Sequence, residues 1–271
     1  MCGRYVLTQT HARSLLAQLG VRLEAENRGL PPSRYNLPPG SPILAVRSPA
    51  KPPKPRAENW PPTADNSRTP PAPESPGTAR ELAWLHWGLT PAWAGTDTRP
   101  LTNARAESLV DKPTFRRAYQ SRRCLIPASG FYEWQVTGRT RRPWLFQGLE
   151  HQPFAFAALW ETYHTPDGQI LEACALITTA ANALMQPIHH RMPAILLEAA
   201  AWEAWLDPRI TSTQALAPLL RPLPAEALSA TPVSARVNQV RHDDPACLEP
   251  VTPGEAGDAA ADDTAQLSLG L

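Results

Sequence analysis

The segment MCGRY puts a cysteine at position 2, where removal of Met1 leaves a residue with two nucleophiles, an α-amine and a thiol two carbons apart. Their ordinary pKa values, about 7.7–8.0 and about 8.5, keep both reactive near neutral pH. Such an aminothiol suits an aldehyde: the amine condenses to an imine, and the thiol then closes a five-membered thiazolidine on the same carbon. The plain alternative is that Met1 stays and Cys2 packs as a small buried hydrophobe. In SGFYEW, Glu133 lies among aromatic residues of an apolar strand. An ionised carboxylate is costly there unless paired, so the position suits proton transfer; otherwise Glu133 faces solvent on an alternating strand. In IHHRMP, His189 and His190 precede Arg191, an imidazole that titrates near neutrality beside a guanidinium suited to phosphate. Surface or hydrogen-bonded histidines are the ordinary reading of such a pair. LTNARAES offers Asn103, Arg105 and Glu107 as a polar turn or strand end, with Arg105 and Glu107 able to pair.

These groups need a frame. THARSLLAQLG reads as a short helix with Thr10 as N-cap, Leu15, Leu16 and Leu19 on one face and Gly20 as the stop. SPILAV, ELAWLHWGL, CLIPASGFYEW, PWLFQGL, PFAFAALW and EACALITTAA read as strands between polar or Gly/Pro breaks. LLEAAAWEAWL, from Leu196 to Leu206, spaces its apolar residues for a helix, and ALAPLLRPL suggests another, broken at Pro218. The expected class is α+β, one domain around a barrel-like, mainly antiparallel sheet with flanking short helices. Between Arg47 and Glu81 ten prolines deny the backbone donors that helices and central strands need, so 47–81 is expected to loop out of that domain as a disordered insertion. The domain is expected over 2–251, and the acidic segment 252–271 as a disordered tail.

Composition excludes more than it identifies. The 42% hydrophobic content supports a sizeable core, and a formal charge of +1 advertises no global attraction to nucleic acid. The four cysteines have no C-x-x-C pair and no histidine at zinc-ligand spacing, so neither a metal nor a disulfide framework is expected. No basic flank leads into an apolar run at the N-terminus, and no stretch reaches the roughly 18 apolar residues of a membrane span. A cytoplasmic monomer with reduced thiols and no cofactor is the expectation. Charge is uneven, however: from Arg99 to Arg142 ten Lys or Arg face three Asp or Glu, a concentration that fits a nucleic-acid footprint. Nearby, Trp93 in LTPAWAG is expected to be more exposed than Trp84 or Trp87 and able to stack on a base, or else to anchor its loop on the core.

Taken in order, MCGRY, RYNLPPG, WGLTPAW, TNARAES, CLIPASGFYEW, ITTAAN and IHHRMPAIL closely resemble the SOS response-associated peptidase (SRAP) family, from Cys2 to about Pro250. The resemblance implies an α+β domain with a basic DNA channel. It also implies self-exposure of Cys2 and a reversible thiazolidine crosslink to abasic sites in single-stranded DNA, which shields the lesion. It assigns Cys2 as nucleophile, Asn103 as a hydrogen bonder to its amine or to the sugar, Glu133 as proton-transfer partner of the amine, and His189 as general acid on the sugar ring oxygen and base in reversal. Arg4, Arg105 and Arg191 match the family's phosphate-binding arginines, and Asn36 of RYNLPPG and Trp93 join the DNA-contacting set. Three departures stand out: His190 occupies a position where many members have Asp, Trp93-Ala94 stands where some members carry two adjacent tryptophans, and the proline-rich insertion exceeds that of compact members. A thiol peptidase using Cys2, His189 and Asn103, and a non-covalent single-strand binder, are the competing classes.

The end of the tail carries a motif of its own. Gln266, Leu267, Leu269 and Leu271 in QLSLGL resemble the peptide by which bacterial repair proteins dock on the replication sliding clamp, which would bring the protein to damaged forks.

Overall fold

A computed structural model describes residues 2–21, 30–49, 80–91, 98–164 and 168–251. Its strands, in chain order, are β1 (Tyr5–Leu7), β2 (Arg34–Leu37), β3 (Pro42–Arg47), β4 (Glu81–Trp87), β5 (Asn103–Arg105), β6 (Arg123–Ala128) and β7 (Gly130–Thr137). They continue with β8 (Thr140–Gly148), β9 (Phe154–His164), β10 (Ile170–Ala180), β11 (Arg191–Pro193), β12 (Ile195–Leu196) and β13 (Leu228–Pro232). Four short helices accompany them: α1 (Gln9–Gln18), α2 (Pro113–Ser121), α3 (Ala199–Leu206) and α4 (Thr213–Leu216).

Strands β10, β4, β3, β6 and β9 pair in that order, and β9 pairs back onto β10, so five strands close into a barrel without free edges. All pairs around it are antiparallel except β10 with β4, and β5 adds a second parallel partner to the later half of β10. The second sheet is antiparallel, in the order β13-β8-β7-β1-β2. The expected α+β class with a barrel-like, mainly antiparallel sheet is the observed one. CLIPASGFYEW, which reads as one strand, divides at Ser129 between the barrel (β6) and the second sheet (β7), where Ser129 accepts from the amide of Thr8 at 2.9 Å.

Aromatic packing joins the two sheets. Phe154 and Phe156 of β9 meet Phe131 of β7, which stacks on Phe146 of β8 at 5.1 Å, while Tyr5 of β1 lies edge-on to Phe156 and to Trp87 of β4. All are fully buried. Each phenyl ring contributes about 1.5–3 kcal/mol on burial, so the junction of the sheets is well anchored. β3 and β4 pair directly with Arg47 opposite Glu81, so the chain leaves and re-enters the same sheet around the proline-rich stretch, of which 50–79 lie outside the described residues.

Helix boundaries follow local chemistry, with corrections to the sequence reading. The N-cap of α1 is Thr8, whose hydroxyl accepts from the His11 amide, not Thr10, which is exposed; Gly20, at φ +66°, does end the turn. Leu196, expected in a helix, belongs to strand β12, and α3 begins at Ala199. α2 was not expected: its positive charges hide Phe115, Ala118 and Tyr119, which are buried at helical spacing.

The basic stretch 99–142 is not one surface. Arg123 is buried and donates to the carbonyls of Tyr119, Gln120, Trp205 and Asp207, closing the ends of α2 and α3 together. Arg122 pairs with Glu161, and Arg116 is engaged by the carbonyls of Val110 and Asp111. Trp84 is 43% exposed whereas Trp87 is buried, and Trp93 lies outside the described residues.

Candidate active site

Cys2 lies just ahead of β1 and is fully buried in the seam between the sheets. Burial and the neighbouring Glu133 carboxylate push its thiol well above the usual cysteine range. In this state, with Met1 in place, the thiol is protonated and shielded, so reactivity requires a change at the terminus.

Asn103 opens β5, which lies parallel to β10 with Asn103 opposite Leu176. Its Nδ2 donates to the Cys2 carbonyl at 3.2 Å and to the Thr102 hydroxyl at 3.1 Å. Its Oδ1 is buried and meets no donor among the described residues, which leaves an acceptor for an amine or hydroxyl. Thr102 is itself fixed, its carbonyl accepting from the Trp87 indole at 2.9 Å and from the Leu176 amide at 3.0 Å.

Glu133 comes from the other sheet. It sits on β7 opposite Trp144 of β8, only 3% exposed, so the reading of a solvent-facing carboxylate does not apply. Cys2 and Glu133 thus belong to the second-sheet side, and Asn103 to the barrel side.

His189 sits in the turn between β10 and β11. Asn182 builds that turn, its Oδ1 accepting from the Met185 amide at 3.0 Å. The His189 Nδ1 lies 3.0 Å from both the amide nitrogen and the carbonyl oxygen of Arg191. It accepts from the first when bare and donates to the second when it carries the proton; in the latter tautomer the Nδ1–H···O=C bond is kept while a proton moves at Nε2. His190 stacks on it with ring centroids 4.5 Å apart; the adjacent His189 holds the exposed His190 below the usual histidine range.

The arginines divide. Arg105 ends β5, exposed and without an ion-pair partner among the described residues. Glu107, rather than pairing with Arg105, accepts both terminal nitrogens of Arg191, at 2.7 and 2.9 Å. Arg191 also donates to the Thr178 carbonyl at 2.6 Å. Arg4 is 5% exposed and donates to the Asn36 side chain at 2.8 Å and the Val237 carbonyl at 2.9 Å. Asn36 is fully buried and donates onward to the carbonyls of Val237, Gln239 and His242. Arg4 and Asn36, expected at the DNA, therefore lie beneath the surface as a brace between β1, β2 and the 237–242 loop. Trp93 and Gln266, Leu267, Leu269 and Leu271 lie outside the described residues.

The fold joins Cys2 to Asn103 and to Glu133, and ties the turn of His189 to the end of β5 through the Arg191–Glu107 pair. Two positions escaped the sequence reading: Thr178, which steadies Arg191, and Asn182, which shapes the turn of His189. Asn182 could have been found from its place after a strand, where Asn commonly caps a turn.

The profile of the family described as SOS response associated peptidase (SRAP) matches residues 1–240. The chain is 41% identical over 176 residues to the abasic site processing protein YoqW of Bacillus subtilis (strain 168), covering 64% of this chain and 78% of that protein. It is 28% identical over 254 residues to the abasic site processing protein YedK of Escherichia coli (strain K12), covering 93% of this chain and 100% of that protein. A crystal structure of a Bacteroides thetaiotaomicron protein is similar in fold, with a TM-score of 0.71 at 22% identity, over 93% of this chain and 100% of that one.

Proposed function

The chain belongs to the SRAP family, and from that premise we propose that it processes abasic sites in DNA, capturing the lesion in single strands through Cys2 once Met1 has been removed. The observation that carries this reading is the hydrogen bond from Asn103 to the Cys2 carbonyl, which ties the N-terminal residue to the barrel beside Glu133. The ring-opened abasic sugar carries an aldehyde. The α-amine of Cys2 adds to its carbon, water leaves to give the imine, and the Cys2 sulfur adds to the same carbon while its proton passes to nitrogen. The product is a thiazolidine. Every atom is supplied by the protein and the lesion, and no oxidant or cofactor enters.

Each side chain has a task in that sequence. Glu133 takes a proton from the α-amine so that it can attack; Asn103 orients the amine or the sugar hydroxyl through its open Oδ1. His189 donates to the sugar ring oxygen as the ring opens and takes the proton back in reversal, its Nδ1 supported by Arg191 throughout. Arg105 binds a flanking phosphate, Arg191 joins it where a phosphate takes the place of Glu107 on its guanidinium, and Arg4 and Asn36 act from below by holding β1 and β2 in place. Removal of Met1 by the same groups would be the peptidase step.

The test is incubation with single-stranded DNA carrying one abasic site. A heat-stable adduct formed by the wild type and by Cys124→Ala, and lost in Cys2→Ala, is the expected result. No adduct from the wild type would overturn the reading; turnover of a peptide instead would favour a thiol peptidase, and retention of DNA lost on denaturation a non-covalent binder. Mass spectrometry of the purified chain reports whether it starts at Cys2.

The tail sequence supports recruitment as well. An acidic segment ending in Gln266, Leu267, Leu269 and Leu271 suits docking on the sliding clamp at replication forks. Removal of 266–271 should abolish clamp binding, and unchanged affinity would refute it.

A further inference from the structure

Strands β7 and β8 form a hairpin that is paired from Phe131–Phe146, through Glu133–Trp144, to the Thr137–Thr140 pair at its outer end. Residues directly opposite in an antiparallel pair share a face, and faces alternate along each strand. Glu133 and Trp144, Gln135 and Arg142, and Thr137 and Thr140 therefore line one face in succession. That strip starts at the buried carboxylate and runs outward by four residues, about 14 Å at about 3.4 Å per residue. Near its base Gln135 reaches the Pro187 carbonyl at 3.4 Å, so the hairpin flanks the turn that carries His189.

The strip has the chemistry of an anion-binding surface. From Trp134 to Gln147 the chain holds three arginines, Arg139, Arg141 and Arg142, and no acidic residue. Arg139 is exposed at the tip. Arg142 is half-buried on the Glu133 face, its Nε enclosed and without an acceptor among the described residues, and the Trp144 indole nitrogen below it is in the same position. Beyond Glu133, the exposed Arg139 and the half-buried Arg142, with no carboxylate from Trp134 to Gln147, suit an anionic partner.

We propose that the β7–β8 hairpin is an arm along which single-stranded DNA runs away from the lesion, with Arg142 and Arg139 contacting successive phosphates on one side of the abasic site. This rests on the abasic-DNA reading above. The arm belongs to the second sheet, whereas Arg105 and Arg191 lie on β5 and β11, which pair with β10 of the barrel, so the two sets serve opposite sides of the lesion. It also gives the basic stretch 99–142 a more limited meaning, since Arg122 and Arg123 are committed to the fold and, of the three hairpin arginines, Arg139 and Arg142 alone serve the arm.

The test compares Arg139→Gln/Arg142→Gln with a charge-matched control, Arg13→Gln/Arg117→Gln, whose exposed arginines sit on α1 and α2. Binding of Cys2→Ala versions to single-stranded DNA is measured across salt concentrations. Loss of two phosphate contacts should make the log–log salt slope shallower by about 1.4, at about 0.7 per contact, with a much smaller change in the control. The loss should persist when the strand is shortened on one side of the lesion and vanish when it is shortened on the other. Equal slopes for the two double variants, or a loss indifferent to which side is shortened, overturns the arm. Arg139→Gln alone guards against misfolding, because its side chain is exposed. An abasic-site adduct formed by the wild type alongside equal slopes rejects the arm alone; absence of the adduct rejects the abasic reading and the arm with it.

Discussion

Arg191 holds Glu107 with both terminal nitrogens, 2.7 Å to Oε1 and 2.9 Å to Oε2, although 84 residues separate the two in the chain. The pairing leaves Arg105, two residues from Glu107, exposed at the mouth of the site. It also steadies the residue whose main chain supports the His189 ring.

Glu107 carries a pH signature. The hydrogen bonds from Arg191 lower its pKa below the ordinary value of 4.5, so the unfolded chain takes up a proton before the folded one does. The pair's stabilisation is complete above the unfolded value and disappears as pH falls through the folded one. With Glu107 half exposed, solvent screening limits this to about 0–1 kcal/mol. In Glu107→Gln, thermal midpoints recorded from pH about 7 to 3 should converge on the wild type at the acid end; a constant gap would show that the ion pair is not the cause.

Asn103→Ala removes the donor to the Cys2 carbonyl at the centre of the site. Loss of the bond that its open Oδ1 makes to the reacting amine or sugar, about 0.5–1.5 kcal/mol, slows adduct formation roughly 2- to 10-fold at saturating lesion DNA, while loss of the donor to the Cys2 carbonyl lowers stability by a similar amount. An unchanged rate would remove Asn103 from its orienting role.

Alkylation kinetics report on Glu133. In chain that retains Met1, burial first and the Glu133 charge second disfavour the Cys2 thiolate, so iodoacetamide should label it slowly. Glu133→Gln removes the repulsion and should speed labelling of Cys2 a few-fold at pH about 8. Cys124 and Cys174, both buried, serve as the internal reference, and equal acceleration at all three would point to loosened structure instead.

Arg123→Met tests the division of the basic stretch. Four carbonyls at two helix ends lose their donor, a loss of about 3–5 kcal/mol that lowers the midpoint of thermal unfolding by roughly 6–20 °C. The salt slope of DNA binding, measured where the variant is folded, should not change.

Thr8→Ala should destabilise the protein by about 0.5–2 kcal/mol through loss of the α1 cap, while Thr10→Ala stays within about 0.5 kcal/mol. Urea midpoints of the two variants decide between the caps.

Strands with uniform apolar runs, such as PFAFAALW, were legible because a strand covered on both faces leaves no polar position. α2 was not, because five of its nine residues are polar or charged and its buried face is only Phe115, Ala118 and Tyr119. The break at Ser129 was invisible for a related reason: both halves of CLIPASGFYEW are strand, and only the sheets they join differ. Likewise Arg4 is polar and follows a reactive cysteine, so its side chain could have faced a phosphate; that it turns inward to Asn36 depends on the 237–242 loop, over 230 residues away in the chain.

The sequence by itself determined the chemical inventory: a cysteine behind a removable methionine, a carboxylate in an apolar strand, an imidazole beside a guanidinium, and motif order that marks the family. Those are properties of residue type and local spacing, which a chain carries before it folds. Tertiary structure alone decided which charges are spent inside and which face outward, because an arginine's partners are set by whatever the fold brings to it. Arg123 meets two helix ends, Arg191 meets Glu107, and Arg139 meets solvent, from side chains that are chemically the same.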